Sequence, residues 1–87
     1  MASIKVKLLQ DNTYFVEVVS QVASSHQVNV QPAYALRLTL GKISTEQLIE
    51  KSFEFLLARE PNTSILRSFD LSLISRYFPE FESVICQ

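Results

Sequence analysis

Eighty-seven residues, 47% of them hydrophobic and 20% charged, make one globular domain over 1–87 and leave too little chain for two separate cores. A formal charge of −1, one glycine and one cysteine argue against a nucleic-acid footprint, a phosphate-cradling glycine loop and a disulfide framework. A domain this short buries roughly 60–70% of the surface its unfolded chain exposes, so its core is thin.

The first third reads as strands, expected at about 3–9, 14–23 and 27–31. Ile4, Val6 and Leu8 alternate with Ser3, Lys5 and Lys7. Val16, Val18 and Val22 alternate with Glu17 and Gln21, and Val28 and Val30 with Gln27, Asn29 and Gln31. A period of two in β-branched residues marks half-buried strands. Register follows from the faces. A two-residue loop at Asp11-Asn12 would set Lys7 against Val16, mixing charge with apolar groups, which a sheet with one buried side does not tolerate. A three-residue loop at 11–13 pairs Leu8 with Val16 and Val6 with Val18, and sets Lys7 opposite Glu17 on the wet face. The same logic with a loop at 24–26 pairs Val22 with Val28. The expectation is a three-stranded antiparallel meander, with His26 in a surface turn.

Residues 32–40 carry two patterns. Tyr34, Leu36, Leu38 and Leu40 alternate as in a strand, yet Ala and Leu favour helix, Pro32 suits a first turn and Gly41 suits the position past the end. A short helix is the reading adopted. Residues 45–60 are the clearest element: Ser44 with Gln47 forms a capping box, and Leu48, Ile49, Phe53, Leu56 and Leu57 make one apolar face with Phe55 at its margin. Glu46, Glu50 and Glu54 line the opposite side, and Pro61 stops the helix. Two short helical turns follow, at about 64–69 behind Ser64 and 71–78 behind Asp70, each cap offering an oxygen to free amide hydrogens. Phe81, Val84 and Ile85 can add a last apolar turn. The fold class expected is α+β, the meander packed on these helices.

Chemistry is sparse. His26 and Cys86 have no evident companions, and a metal site needs several convergent ligands. No nucleophile, base and oxyanion set is visible, so neither an enzyme nor a cofactor is expected. No apolar run approaches the roughly 18 residues that span a bilayer, and the first residues mix polar and apolar groups without a signal-peptide core. With one thiol and no internal disulfide, a cytoplasmic location is expected.

Two groups of residues are candidates for an interaction surface. Phe15 and Val19 fall on the strand face that also carries Glu17 and Gln21. Arg59, Arg67 and Arg76 are interleaved with Phe69, Tyr77, Phe78 and Phe81, a combination found at protein hot spots and at single-stranded nucleic-acid sites. The plain alternative makes the aromatics core and pairs the arginines with Glu60, Asp70, Glu80 or Glu82.

The order Arg59-Glu60-Pro61, Phe69-Asp70-Leu71 and Tyr77-Phe78-Pro79, within Ser64-Ile-Leu-Arg-Ser-Phe-Asp-Leu71, resembles a group of short bacterial proteins of uncharacterised function. The resemblance covers about half the chain and implies a bacterial, cytosolic origin and a strands-then-helices fold, with no activity to carry over. The expected function is a non-catalytic protein-interaction module that associates with itself as a homodimer, because a meander leaves two unpaired strand edges. The alternative is a small antitoxin-like regulator whose 64–78 turns mimic a helix-turn-helix. Residues 71–78 hold only Arg76 as a base, whereas phosphate contacts need several, so a nucleic-acid partner is not expected.

Burying five large side chains of the main helix contributes on the order of 10 kcal/mol gross, at roughly 1.5–3 kcal/mol each. Phe53→Asp is therefore expected to abolish cooperative unfolding. A variant melting within a few degrees of wild type would show that this face is wrongly assigned.

Overall fold

The computed structural model describes residues 3–86 as a single sheet with helices packed on one side. The strands are β1 (Ser3–Gln10), β2 (Thr13–Val19), β3 (Ser24–Asn29) and β4 (Ser68–Asp70), in the spatial order β1-β2-β3-β4. The helices are α1 (Pro32–Thr39), α2 (Thr45–Leu57), α3 (Ile74–Tyr77) and α4 (Phe81–Ile85). The expected α+β class holds, but the sheet has four strands and is mixed. β1, β2 and β3 are antiparallel, and β4 runs parallel to β3.

β4 replaces the helical turn expected at 64–69. Asn62–Ser64 forms one 3-10 turn, and Ile65 is already extended (φ −75°, ψ 136°). The chain then lies along the edge of β3, where the Gln27 N–H donates to the Arg67 carbonyl at 2.7 Å. The expected helix-turn-helix mimic is thus not formed. Asp70 does cap as expected, accepting from the Ser72 N–H, and the 3-10 turn Leu71–Leu73 leads into α3.

Both meander registers differ from expectation. β1 pairs Val6 with Val16, Ile4 with Val18, and Lys5, not Lys7, with Glu17. The loop is the two-residue Asp11-Asn12 turn after all, with Asp11 left-handed (φ 42°), a conformation that a short polar side chain tolerates. An irregularity between Leu8 and Gln10 takes up one extra residue and returns the valines to a common face. In the second hairpin β2 stops at Val19 and β3 begins at Ser24, so Val16 faces His26 and Tyr14 faces Val28. Val22 lies in the connecting loop, 59% exposed, and His26 is buried within β3 rather than in a turn.

The inner sheet face presents Val16, Val18, Val28 and His26, with Ile4, Val6, Tyr14 and Phe69 at its margins. α2 covers it with Leu48, Ile49, Phe53, Phe55 and Leu56. Its capping box is complete: the Gln47 N–H donates to Ser44 Oγ at 3.1 Å, and the Ser44 N–H to Gln47 Oε1 at 2.9 Å. The helix ends at Leu57, short of the expected residue 60, and its face is turned so that Phe55 is buried and Leu57 only half so. Phe55 meets the rings of Phe78 and Phe81 edge-on at 5.8 and 5.2 Å, which holds the C-terminal turns against α2.

α1 forms with Pro32 in its first turn, and Gly41 (φ 74°) follows the left-handed cap residue Leu40 (φ 54°). α1 is tied to α4 through Glu82. Arg37 grips both carboxylate oxygens at 3.1 and 3.2 Å, and the Tyr34 hydroxyl donates to Oε2 at 2.9 Å. The bond from Arg37 lowers the pKa of the Glu82 carboxyl, with Tyr34 adding to the effect. Burial, then the bond to Glu82, raises that of the Tyr34 hydroxyl.

Because the folded pKa of Glu82 is depressed, the unfolded chain takes up this proton first. The contribution is present above the ordinary value of 4.5 and lost as pH falls through the lower folded value. Glu82→Gln is expected to flatten the acid limb of stability between about pH 5 and pH 3. Urea midpoints across that range check it; parallel acid limbs for the two proteins would contradict the assignment.

Candidate functional site

The stretch after α2 is locked to the sheet by a chain of buried polar groups. Asn62, 6% exposed, donates through Nδ2 to the Val22 carbonyl and to Ser24 Oγ, both at 2.8 Å. Ser24 Oγ is 2.8 Å from His26 Nε2, and His26 Nδ1 is 2.8 Å from the Leu66 carbonyl oxygen. A carbonyl can only accept, so Nδ1 carries the imidazole proton. Ser24 Oγ receives the amide hydrogen and turns its own hydrogen to Nε2. Every polar atom along this path has a partner. The imidazole lies 5.3 Å from the Phe53 ring, so β3, α2 and the approach to β4 meet at one residue.

A serine hydroxyl bonded to a histidine is also the core of nucleophilic catalysis. Here the imidazole is 2% exposed beneath Phe53, and Ser24 Oγ already holds the Asn62 amide. The arrangement ties segments together. Among the described residues, no three His, Cys, Asp or Glu side chains converge to hold a metal ion, and no helix is long and apolar enough to cross a membrane.

The segment held by this tie forms one wall of a groove of about 390 Å³. Leu56 and Glu60 contribute from the end of α2, Ile65, Leu66 and Phe69 from the run into and along β4, and Leu73, Tyr77 and Phe78 from the turns around α3. The lining is mainly apolar with Glu60 as its carboxylate, and Leu66 and Tyr77 stand half or more exposed at its border. β4 is itself an edge strand. The groove arises because β4 joins the sheet beyond β3 while α3 turns back, leaving the space between them unfilled.

The six residues expected to form an interaction surface fall in separate places. Tyr77 lines the groove. Arg67 and Arg76 are exposed sequence neighbours of Leu66 and Tyr77 but do not line it. Arg59 is spent internally: its guanidinium lies 3.6 Å from the Phe55 ring centre, donates to the Phe55 carbonyl at 3.0 Å and pairs with Glu80 at 3.5 Å. This matches the plain alternative of an arginine paired with a local acid. Phe15 and Val19 lie on the outer sheet face, remote from the helices. Phe15 is half-buried between Lys7 and Gln27, and Val19 is at the strand end opposite Ser3. The six residues therefore do not lie together.

Leu66 was not singled out by sequence, and Phe69 and Glu60 entered only as neighbours of the candidate arginines. The adjacent apolar pair Ile65-Leu66 carried the missing signal, since an extended chain must turn one such residue inward and the other out. No protein-family model, no curated protein and no solved structure matches this chain.

The polar tie predicts its own sensitivity. His26→Leu leaves the Leu66 carbonyl and the Ser24 hydroxyl with one partner fewer, and is expected to cost about 1–3 kcal/mol. Amide exchange should quicken first at β4. A loss under about 0.5 kcal/mol, with β4 protection intact, would show that the network holds nothing.

Proposed function

We propose that this chain is a non-catalytic protein-interaction module that associates with copies of itself. The observation that carries the reading is the apolar groove bordered by Tyr77, 67% exposed, and Leu66, 50% exposed. Exposed aromatic and aliphatic groups around a concavity are the composition of a contact centre, and in water they stay uncovered at a free-energy cost. The groove borders the edge strand β4, so shape and backbone donors lie side by side.

The homodimer expected from the outer sheet face has weaker support. Phe15 and Val19 share that face with Lys5, Lys7, Glu17, Ser25 and Gln27, and the apolar groups are separated by Glu17. The contact is better placed on the helical side of the molecule. A cytoplasmic location suits the same reading, because Cys86 is exposed and has no second thiol in the sequence to pair with.

Light scattering on a size-exclusion column is the test. A mass above that of the monomer is expected at about 100 μM, falling on dilution. A clean monomer at that concentration, with no protein retained by the tagged chain, would remove the reading.

A further inference from the structure

The end of α1 breaks two local rules at once. Leu40 takes a left-handed backbone (φ 54°), unfavourable for any residue with a Cβ, and its side chain is 71% exposed. Gly41 follows immediately, also left-handed (φ 74°), yet the strain at Leu40 persists. Leu36, one turn earlier, is 61% exposed, and Ala33 is exposed as well. These three stand at i, i+3 and i+7, while the same helix buries Ala35 and Leu38 against the core. α1 is therefore apolar on both sides, and its outer stripe gains nothing from its own chain.

The stripe and the groove cannot meet within one molecule. Leu40 sits just before the start of α2, and Leu56 and Glu60 lie at its other end, thirteen residues or roughly 20 Å of helix away. The two surfaces also offer one complementary charge pair. Lys42, two residues past Leu40, is exposed, and Glu60 lines the groove. Neither has an ion-pair partner among the described residues, whereas Arg37 on the same helix is already held by Glu82.

We infer that the Leu36–Leu40 knob of one copy seats in the α2–β4–α3 groove of a second copy, with Lys42 beside the partner subunit's Glu60. This rests on the self-association proposed above and adds its geometry. The two surfaces differ, so each copy offers one knob and one groove: two copies can exchange knobs reciprocally, and more can continue head-to-tail as a ring or an open chain.

Two single variants test it. Leu40→Asn removes the knob while suiting the left-handed backbone, and Tyr77→Asp places a charge at the groove border. Each alone is expected to weaken association about tenfold or more. At a dilution where wild type is monomeric, Leu40→Asn is expected to melt at or above wild type, which separates lost contact from lost fold. Mixed in equal amounts, the two variants retain one intact knob and one intact groove, and a one-to-one dimer is expected. If wild type is a monomer throughout, self-association itself falls. If wild type assembles but the mixture stays monomeric, the knob does not seat in the groove and this inference falls alone. Association undiminished in both variants would likewise overturn it.

Discussion

Phe53 is the point from which the rest of the molecule is positioned. Fully buried on α2, it meets the His26 ring on β3 at 5.3 Å and the Phe69 ring on β4 at 6.1 Å. One side chain thus spans the join between the antiparallel hairpins and the added parallel strand. Aromatic pairs at these separations contribute beyond the area they bury. Because α2 must lie where Phe53 reaches both rings, its last turn, which carries Leu56, is fixed relative to β4, and with it one side of the groove.

The apolar packing sets where α2 lies, and the polar tie sets how the chain returns. After α2 the backbone has few residues in which to reach the edge of β3, and a three-residue strand is a weak anchor. Asn62, Ser24 and His26 add directional bonds that apolar contacts cannot supply. Fully satisfied buried networks of this kind favour one arrangement over near neighbours. The groove is therefore bounded by a wall held from behind, leaving the exposed side chains of Leu66 and Tyr77 free of structural duty.

Legibility in the sequence follows the range of the forces involved. The capping box of α2, its apolar face and the short α1 depend on residues within one or two turns, and all were readable. The strand faces were readable in part: Val16, Val18 and Val28 point inward, as does Val30 just past β3, whereas Leu8 and Val22, read as core, are exposed. Register was not, because the irregularity near Leu9 carries no residue signature, and because counting Val22 as core hid the inward turn of His26. β4 was missed for a different reason: three residues cannot display a period, and its existence depends on a crossover through two helices. Of the proposed site, Tyr77 was visible as an aromatic among arginines. The groove around it was not, since it is made by elements brought together only in the fold.

The free edge of β1 has a consequence for how the sheet can be extended. Lys5 and Lys7 project from one face of that strand. If two β1 strands met antiparallel along most of their length with faces preserved, a lysine ammonium would stand opposite a lysine ammonium, and parallel in-register stacking would align like charges from copy to copy. Fibrillar stacking through β1 is thus opposed by electrostatic repulsion, and the local kink beside Leu9 adds a steric obstacle. An open sheet margin in a thin-cored domain is in this way kept from seeding aggregation.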